Sequence, residues 1–290
     1  MRTLDTPRTT RSSLHFATRA PLRHAILIAA LLIMVYPLLW MVRLSLMPDS
    51  QIGTAGLIPQ GDVTFENYTS GWNALSVPFT RFFTNSAAIA ILSVVGNLLT
   101  CSITAYVLAR LRFALRGAYF AIVIGTLLVP FHVLIIPQYL LFSAFGVLNS
   151  YIPLVLPKFL ATDAFFIFLM VQFVRGIPRE LDQAALIDGA GHVRIFWSII
   201  LPLMRPALAT TAIFTLIWTW NDFLGPLVYL TSADWYTVPV ALNSLMSADS
   251  GLGVGRLLAM SVLAVVPLIA FFIAAQRQIV EGIASTGLKG

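Results

Sequence analysis

Few side chains in this sequence are equipped for chemistry, and their spacing narrows what that chemistry can be. Asp222 is an acid inside an apolar run, with Trp218, Trp220 and Asn221 beside it. An acid, an amide and indole faces together suit a ligand with many hydroxyls and an apolar ring face. The same groups suit a helix cap or a bond to a neighbouring helix, because small polar residues hold membrane helices together. His132, beside Pro130, reads as a satisfied polar residue rather than a proton relay. Hydrolytic or transfer chemistry needs paired acids, or a nucleophile with its base, at one depth. His132 and Asp222 have no such companions. No Gly-x-x-x-x-Gly-Lys-Ser/Thr stretch occurs, so nucleotide chemistry would have to come from another chain. The single cysteine, Cys101, excludes a disulfide framework and a Cys-rich metal site, and reads as packing filler.

The elements that position these residues follow from composition. Of 290 residues, 58% are hydrophobic and 10% charged, against about 45–50% apolar and about 25% charged in soluble domains. Mean hydropathy is +0.87. So few charges cannot solvate a globular surface of this size. A soluble enzyme, a disordered chain and a nucleic-acid-binding domain are excluded as starting points, and an integral membrane protein remains.

A spanning helix needs roughly 20 mostly apolar residues. Six runs qualify, near 25–46, 83–109, 117–136, 151–174, 206–230 and 257–276. The expected fold is all-α: a polytopic membrane protein with six transmembrane helices. The fourth run is interrupted by Pro153, Pro157, Lys158 and Asp163, so its first half is expected to be irregular and packed against protein. A short outer helix is expected over 137–150. In the outer loop 47–81, Phe65, Tyr68 and Trp72 suggest short amphipathic pieces at the interface. An even number of spans puts both termini on one side, which then holds fourteen of the eighteen Lys and Arg residues. Lys/Arg excess marks the cytoplasmic side, so both termini are expected there. The net charge of +6 needs no partner beyond anionic lipid headgroups. Residues 1–24 read as a flexible basic cytoplasmic tail, with some compositional likeness to a transit peptide and no secretory signal; residues 25–290 form the permeating domain. Asp222 lies sixteen residues beyond Pro206, roughly 24 Å at 1.5 Å per residue. That is the outer leaflet, at a depth similar to Asn85, and makes Asp222 the only acid well inside a span. Asn85, Trp218, Asn221 and Asp222 are the candidates for a solute pathway.

The most informative segment is the long inner loop 175–205, RGIPRELDQAALIDGAGHVRIFWSIILPLMR. Pro178 suits a first helical position, and Glu180 and Asp182 suit the first turn, where the helix dipole favours anions. Leu181, Ala184, Ala185 and Ile187 make one apolar face, and Gly189 and Gly191 break the helix. A second helix from His192 places Val193, Phe196, Ile199 and Ile200 together, and Pro202 ends it. Asp188 is placed to cap that second helix. Such a pair either rests on lipid or docks a cytoplasmic protein. The small residues Ala184, Ala185, Gly189 and Ala190 let another backbone approach, which lipid does not require.

Gln183-Ala184-Ala185, then Gly189, then Leu201-Pro202 resembles the EAA loop of ABC importer permease subunits. The stretches Ile177–Leu181, Ile187–Ala190 and Leu201–Leu203 are similar to the carbohydrate-uptake branch, as are Trp220–Phe223 and the C-terminal tail. The likeness runs from the first span to the last residue. It departs at Gln183, where the family has Glu; the amide keeps shape and hydrogen bonding but loses a charge, and an exposed pair is worth only about 0–1 kcal/mol. The resemblance implies a type I ABC importer permease fold in a prokaryotic plasma membrane, with carbohydrate as solute. It implies that Gln183, Ala184, Ala185, Asp188, Gly189, Ala190, Leu201 and Pro202 form the coupling surface for an ATPase. It also implies a second permease subunit, two ATPase subunits and an extracytoplasmic binding protein as partners, with membrane lipid around them. No nucleic acid is expected, and no cofactor or metal in this chain, since ATP and Mg belong to the ATPase. The competing readings are a self-sufficient secondary transporter, which usually shows more spans and symmetric broken helices, and a membrane-embedded enzyme.

Overall fold

The first apolar run is hydrophobic around its whole circumference and forms a 27-residue helix, α1 (Arg19–Ser45). None of its spanning window is buried within the chain. The computed structural model describes residues 19–247 and 253–287, all-helical apart from turns and loops. Most of the expected tail lies outside these residues, and α1 begins inside its last part.

Two short helices, α2 (Asp49–Ile52) and α3 (Glu66–Trp72), fold the outer loop back onto the bundle. Buried Asn67 donates to the carbonyls of Ser45 and Met47 at 2.9 and 2.7 Å. The Asp49 carboxylate accepts from the Gly255 N–H at 2.7 Å and ties the loop to the last helix. Trp72 stacks on Phe83 at 5.8 Å between ring centroids. Of the aromatic residues of this loop, Trp72 thus packs on protein and Tyr68 meets the Ser45 hydroxyl at 2.7 Å, whereas Phe65 is exposed.

The axis of the molecule is α4 (Phe79–Arg110). Its 32 residues span about 48 Å at 1.5 Å each, well beyond the roughly 30 Å hydrocarbon core. Between large residues at its two ends, such as Phe79, Phe82 and Tyr106, its buried face carries small and polar residues, among them Ser86, Ser93, Gly96, Asn97, Cys101 and Ala105. Such residues let helix backbones come close in a membrane. At Gly96 an added Cβ would stand 2.8 Å from the Phe159 ring, and one turn on Thr100 donates to the Lys158 carbonyl at 2.8 Å.

The third apolar run differs from the expected straight span 117–136. It forms α5 (Arg116–Thr126) and α6 (Phe131–Ala144), bent by 102°. The break falls at Pro130 and not at Pro137, which lies inside α6. There is consequently no separate outer helix over 137–150. Proline disfavours helical geometry in the residue before it, yet an interior proline can be absorbed at the loss of one hydrogen bond. Two prolines seven residues apart compete on these terms, and packing decides between them.

The fourth run is irregular where expected: α7 (Ile152–Phe159) and α8 (Ala164–Gly176) flank a non-helical turn. Ala161 in that turn is left-handed, with φ 54°, and Thr162 Oγ1 donates to the Pro157 carbonyl at 2.9 Å. The inner loop forms α9 (Glu180–Ile187) and α10 (His192–Leu203). Next comes α11 (Arg205–Asn221), bent by 74° from α10. The fifth span was expected to continue to residue 230. It stops at Asn221, because Asp222 is extended and its carboxylate accepts from the Gly225 N–H at 3.2 Å, starting the separate α12 (Leu224–Tyr229). Two further helices, α13 (Val238–Ser247) and α14 (Val254–Gly287), complete the chain. Among the described residues, α1, α4, α14 and the α7–α8 stretch taken together are long and apolar enough to cross a membrane, and six spans result if each bent pair counts as one.

Candidate functional site: the inner loop and a cleft beside the broken helices

The inner loop is shaped by its glycine turn. Gly189 has φ 81°, a conformation that costs an L side chain roughly 1–2 kcal/mol. The Ala190 N–H reaches the Ala185 carbonyl at 2.9 Å and the Gly189 N–H reaches Leu186 at 3.1 Å. This is the double-bonded helix end that a left-handed glycine permits. Of the expected coupling residues, Ala185 is buried and Ala190 and Leu201 half-buried, whereas Gln183, Ala184, Asp188, Gly189 and Pro202 are exposed. Asp188 does not cap α10; Gly191 occupies that cap without a side-chain bond. Pro178 precedes α9 by two residues and is not within it.

The apolar faces also differ from the helical-wheel reading. On α9, Leu181, Leu186 and Ile187 are all exposed, Ile187 at 86%. On α10, Ile195, Phe196 and Ile200 are buried, while Val193, on the free first turn beyond the core, is exposed. Residues Phe196–Ile200 form a π-turn in which the Leu201 N–H bonds back to Phe196. Pro202 has no N–H to offer one turn back, which favours such a local rewinding.

Two contacts fasten this loop to α4. Arg110, the last residue of α4, pairs with Asp182 of α9 at 2.9 Å, with side chains only 5% and 15% exposed. The same guanidinium donates to the Ile177 carbonyl at 2.7 Å. One turn earlier, Tyr106 Oη lies 3.5 Å from His192 Nδ1, and its ring packs on Phe196 at 5.4 Å. Sequence reasoning gave Asp182 only a helix-dipole role. The basic partner is 72 positions away, so no local signal pointed to it.

Nearer the outer side, a cleft of about 250 Å³ opens beside α4, α6, α7, α11 and α12. Lys158, Trp218, Thr219 and Asp222 supply its polar and aromatic groups; Ile89, Phe131, Leu154 and Pro226 supply its apolar walls. Trp218 is half exposed and rests on Phe165, Phe166 and Phe214 at 5.3–5.6 Å. Trp218 and Asp222 therefore meet in one place. Asn221 and Asn85 do not join them. The Asn221 amide donates back to Ile217 at 2.8 Å. Buried Asn85 donates to the carbonyls of Asp234 and Tyr236 and accepts from Tyr151 Oη, at 2.7–2.9 Å, stapling α4 to the loop after α12. His132 is exposed on α6.

Asp222 is not the only acid at depth. Lys158 Nζ sits 2.9 and 3.2 Å from the two oxygens of Asp163. Asn97, near the middle of α4, donates to Asp163 at 2.6 Å and to Thr215 of α11 at 3.0 Å. Cys101 packs against the same group at 3.9 Å. The visible sequence signal was a lysine and an acid five residues apart in an apolar run. Among the described residues no cluster of three or more His, Cys, Asp or Glu could hold a metal.

Residues 99–284 match the model of the binding-protein-dependent transport system inner membrane component. The chain is 36% identical over 261 residues to the arabinooligosaccharides transport system permease protein AraQ of Halalkalibacterium halodurans, covering 89% of this chain and 92% of that one. It is 34% identical to the lactose transport system permease protein LacG of Rhizobium radiobacter, covering 90% and 93%. It is 32% identical to the sn-glycerol-3-phosphate transport system permease protein UgpE of Yersinia enterocolitica, covering 90% and 94%. A solved bacterial ABC transporter involved in import of the acidic polysaccharide alginate shares the fold, with TM-score 0.76 at 23% identity over 94% of this chain and 99% of that one. The chain is thus a multi-pass permease component, not itself an enzyme; an ATPase and a binding protein are its partners. It belongs to the binding-protein-dependent transport system inner membrane component family.

Proposed function

We propose that this chain lines half of a carbohydrate pathway across the cytoplasmic membrane, paired with a second permease subunit. Two ATPase subunits drive it, one of them seated on the turn between α9 and α10, and an extracytoplasmic binding protein delivers the solute. The observation that carries this reading is the exposed apolar turn itself. Leu186, Ile187, Val193 and Trp197, on the helices either side of Gly189, are exposed, and that pair of helices is tied to α4 through Arg110 and Asp182. An apolar knob on a rigid mount suits insertion into a protein groove. ATP-driven movement of the ATPase would carry the loop and α4 together, shifting the permease between inward- and outward-facing states. Carbohydrate as the solute is supported by Trp218 and Asp222 sharing one cleft and by relatives that carry arabinooligosaccharides and lactose.

Co-purification in detergent with the ATPase of its transport system tests the coupling role. The native chain is expected to retain the ATPase. Gly189→Pro, whose fixed negative φ cannot replace φ 81°, is expected to insert and fold but lose it. Equal retention by both would move the docking surface elsewhere.

A further inference from the structure

The relatives carry neutral sugars in some cases and an anionic phosphate ester in another, so family membership leaves open which charge of solute this chain admits. The charges around the cleft answer that question. Its wall holds one cation, Lys158, and one anion, Asp222. Lys158 is already engaged: its ammonium group contacts both oxygens of Asp163, which Asn97 holds in place from behind. The pair is partly enclosed, with side chains 27% and 24% exposed. Asp222 shares this wall with Lys158 but is not ion-paired to it; its carboxylate accepts from the Gly225 N–H at the start of α12. With all three ionised, Lys158, its partner Asp163 and Asp222 together carry a formal charge of −1.

We propose that this cleft is selective for neutral polyhydroxyl solutes, with Lys158 masked by Asp163 so that uronates and phosphate esters find no free cation. The inference rests on the reading of the cleft as part of the solute pathway. A neutral sugar can donate hydroxyls to the Asp222 carboxylate and lay its apolar face on Trp218. An anion would meet a like charge, and it could reach Lys158 only by displacing Asp163. Juxtaposed like charges in a low-dielectric site are strongly disfavoured.

The sign of the cleft can be read without the binding protein, which would otherwise screen solutes first. Thr219→Cys is introduced into the assembled transporter in membrane vesicles, with the only native cysteine removed by Cys101→Ala. Its labelling rates are measured with a neutral, a cationic and an anionic methanethiosulfonate reagent, each relative to a free thiol. The neutral reagent should react, and the cationic one should outpace the anionic one by about tenfold, the scale of charge focusing in a cleft. Asp222→Asn, which keeps an acceptor for Gly225, should bring that ratio close to one. Asp163→Asn, which unmasks Lys158, should lower it as well, and Lys158→Met should raise it. A native ratio at or below one, or a ratio unmoved by Asp222→Asn, overturns the charge inference alone. Failure of even the neutral reagent to reach position 219 overturns the pathway reading, and this inference with it.

Discussion

Arg110 and Asp182 show how much one pair can decide at the residue scale. Both are nearly buried, and removing one partner of a buried pair typically costs about 3–5 kcal/mol because the other charge is left uncompensated. Asp182→Asn should lower the thermal midpoint of the purified complex by several degrees and reduce solute uptake at least tenfold. The exchange Arg110→Asp with Asp182→Arg should recover part of both, as read by scanning fluorimetry and vesicle uptake. No recovery on exchange would mean that the Ile177 carbonyl contact, not the ion pair, holds the loop. Gly96 makes a second residue-scale case. A methyl group there meets the Phe159 ring at 2.8 Å, and overpacking typically costs about 1–3 kcal/mol. Gly96→Ala should destabilise measurably, whereas Gly117→Ala, with open space around it, should not.

Among the elements, α6 carries the sharpest contrast. Pro130 caps it and Pro137 lies inside it. An interior proline costs a helix about 3 kcal/mol, through a lost hydrogen bond and a steric clash, while a proline at the start costs little. Pro137→Ala is therefore expected to raise the thermal midpoint, and Pro130→Ala to leave it almost unchanged or lower it by loosening the 102° bend. A larger gain from Pro130→Ala would show that the bend is strained. The inner loop was legible at this scale: Gly189 announced the turn, and apolar residues at helical spacing on either side announced two helices. Which faces those helices bury was not legible, because the π-turn before Pro202 and the free first turn at Val193 alter a simple helical wheel.

For the whole molecule, the Lys/Arg asymmetry predicts that the α9–α10 turn faces the cytoplasm and the α2–α3 loop the outside. Single cysteines in a Cys101→Ala background test this. Gly56→Cys, an open position, should label from outside intact cells with an impermeant maleimide. Gly191→Cys, also open, should label only after permeabilisation. The opposite pattern would invert the topology and remove the inner loop from the ATPase. Between these faces α4 links the Arg110 clamp to the Asn85 staple across the bundle, so under the proposed coupling a push on the loop would reach the outer connections through one continuous helix.

The sequence by itself determined the class of molecule, the number of apolar runs and the position of the glycine turn. These are local or summed properties. In lipid, a long apolar run must close its backbone hydrogen bonds within itself, and only a helix does so along one segment. A glycine followed by an apolar run marks a helix end for equally local reasons. The tertiary structure decided which proline bends the third span and where the fifth span ends. It also decided that Asn85 is a staple, that Lys158 and Asn97 share Asp163, and that Arg110 answers Asp182. Each of these depends on a partner brought close by packing. A buried polar group must find some partner, but nothing within one helix's reach of the chain specifies which.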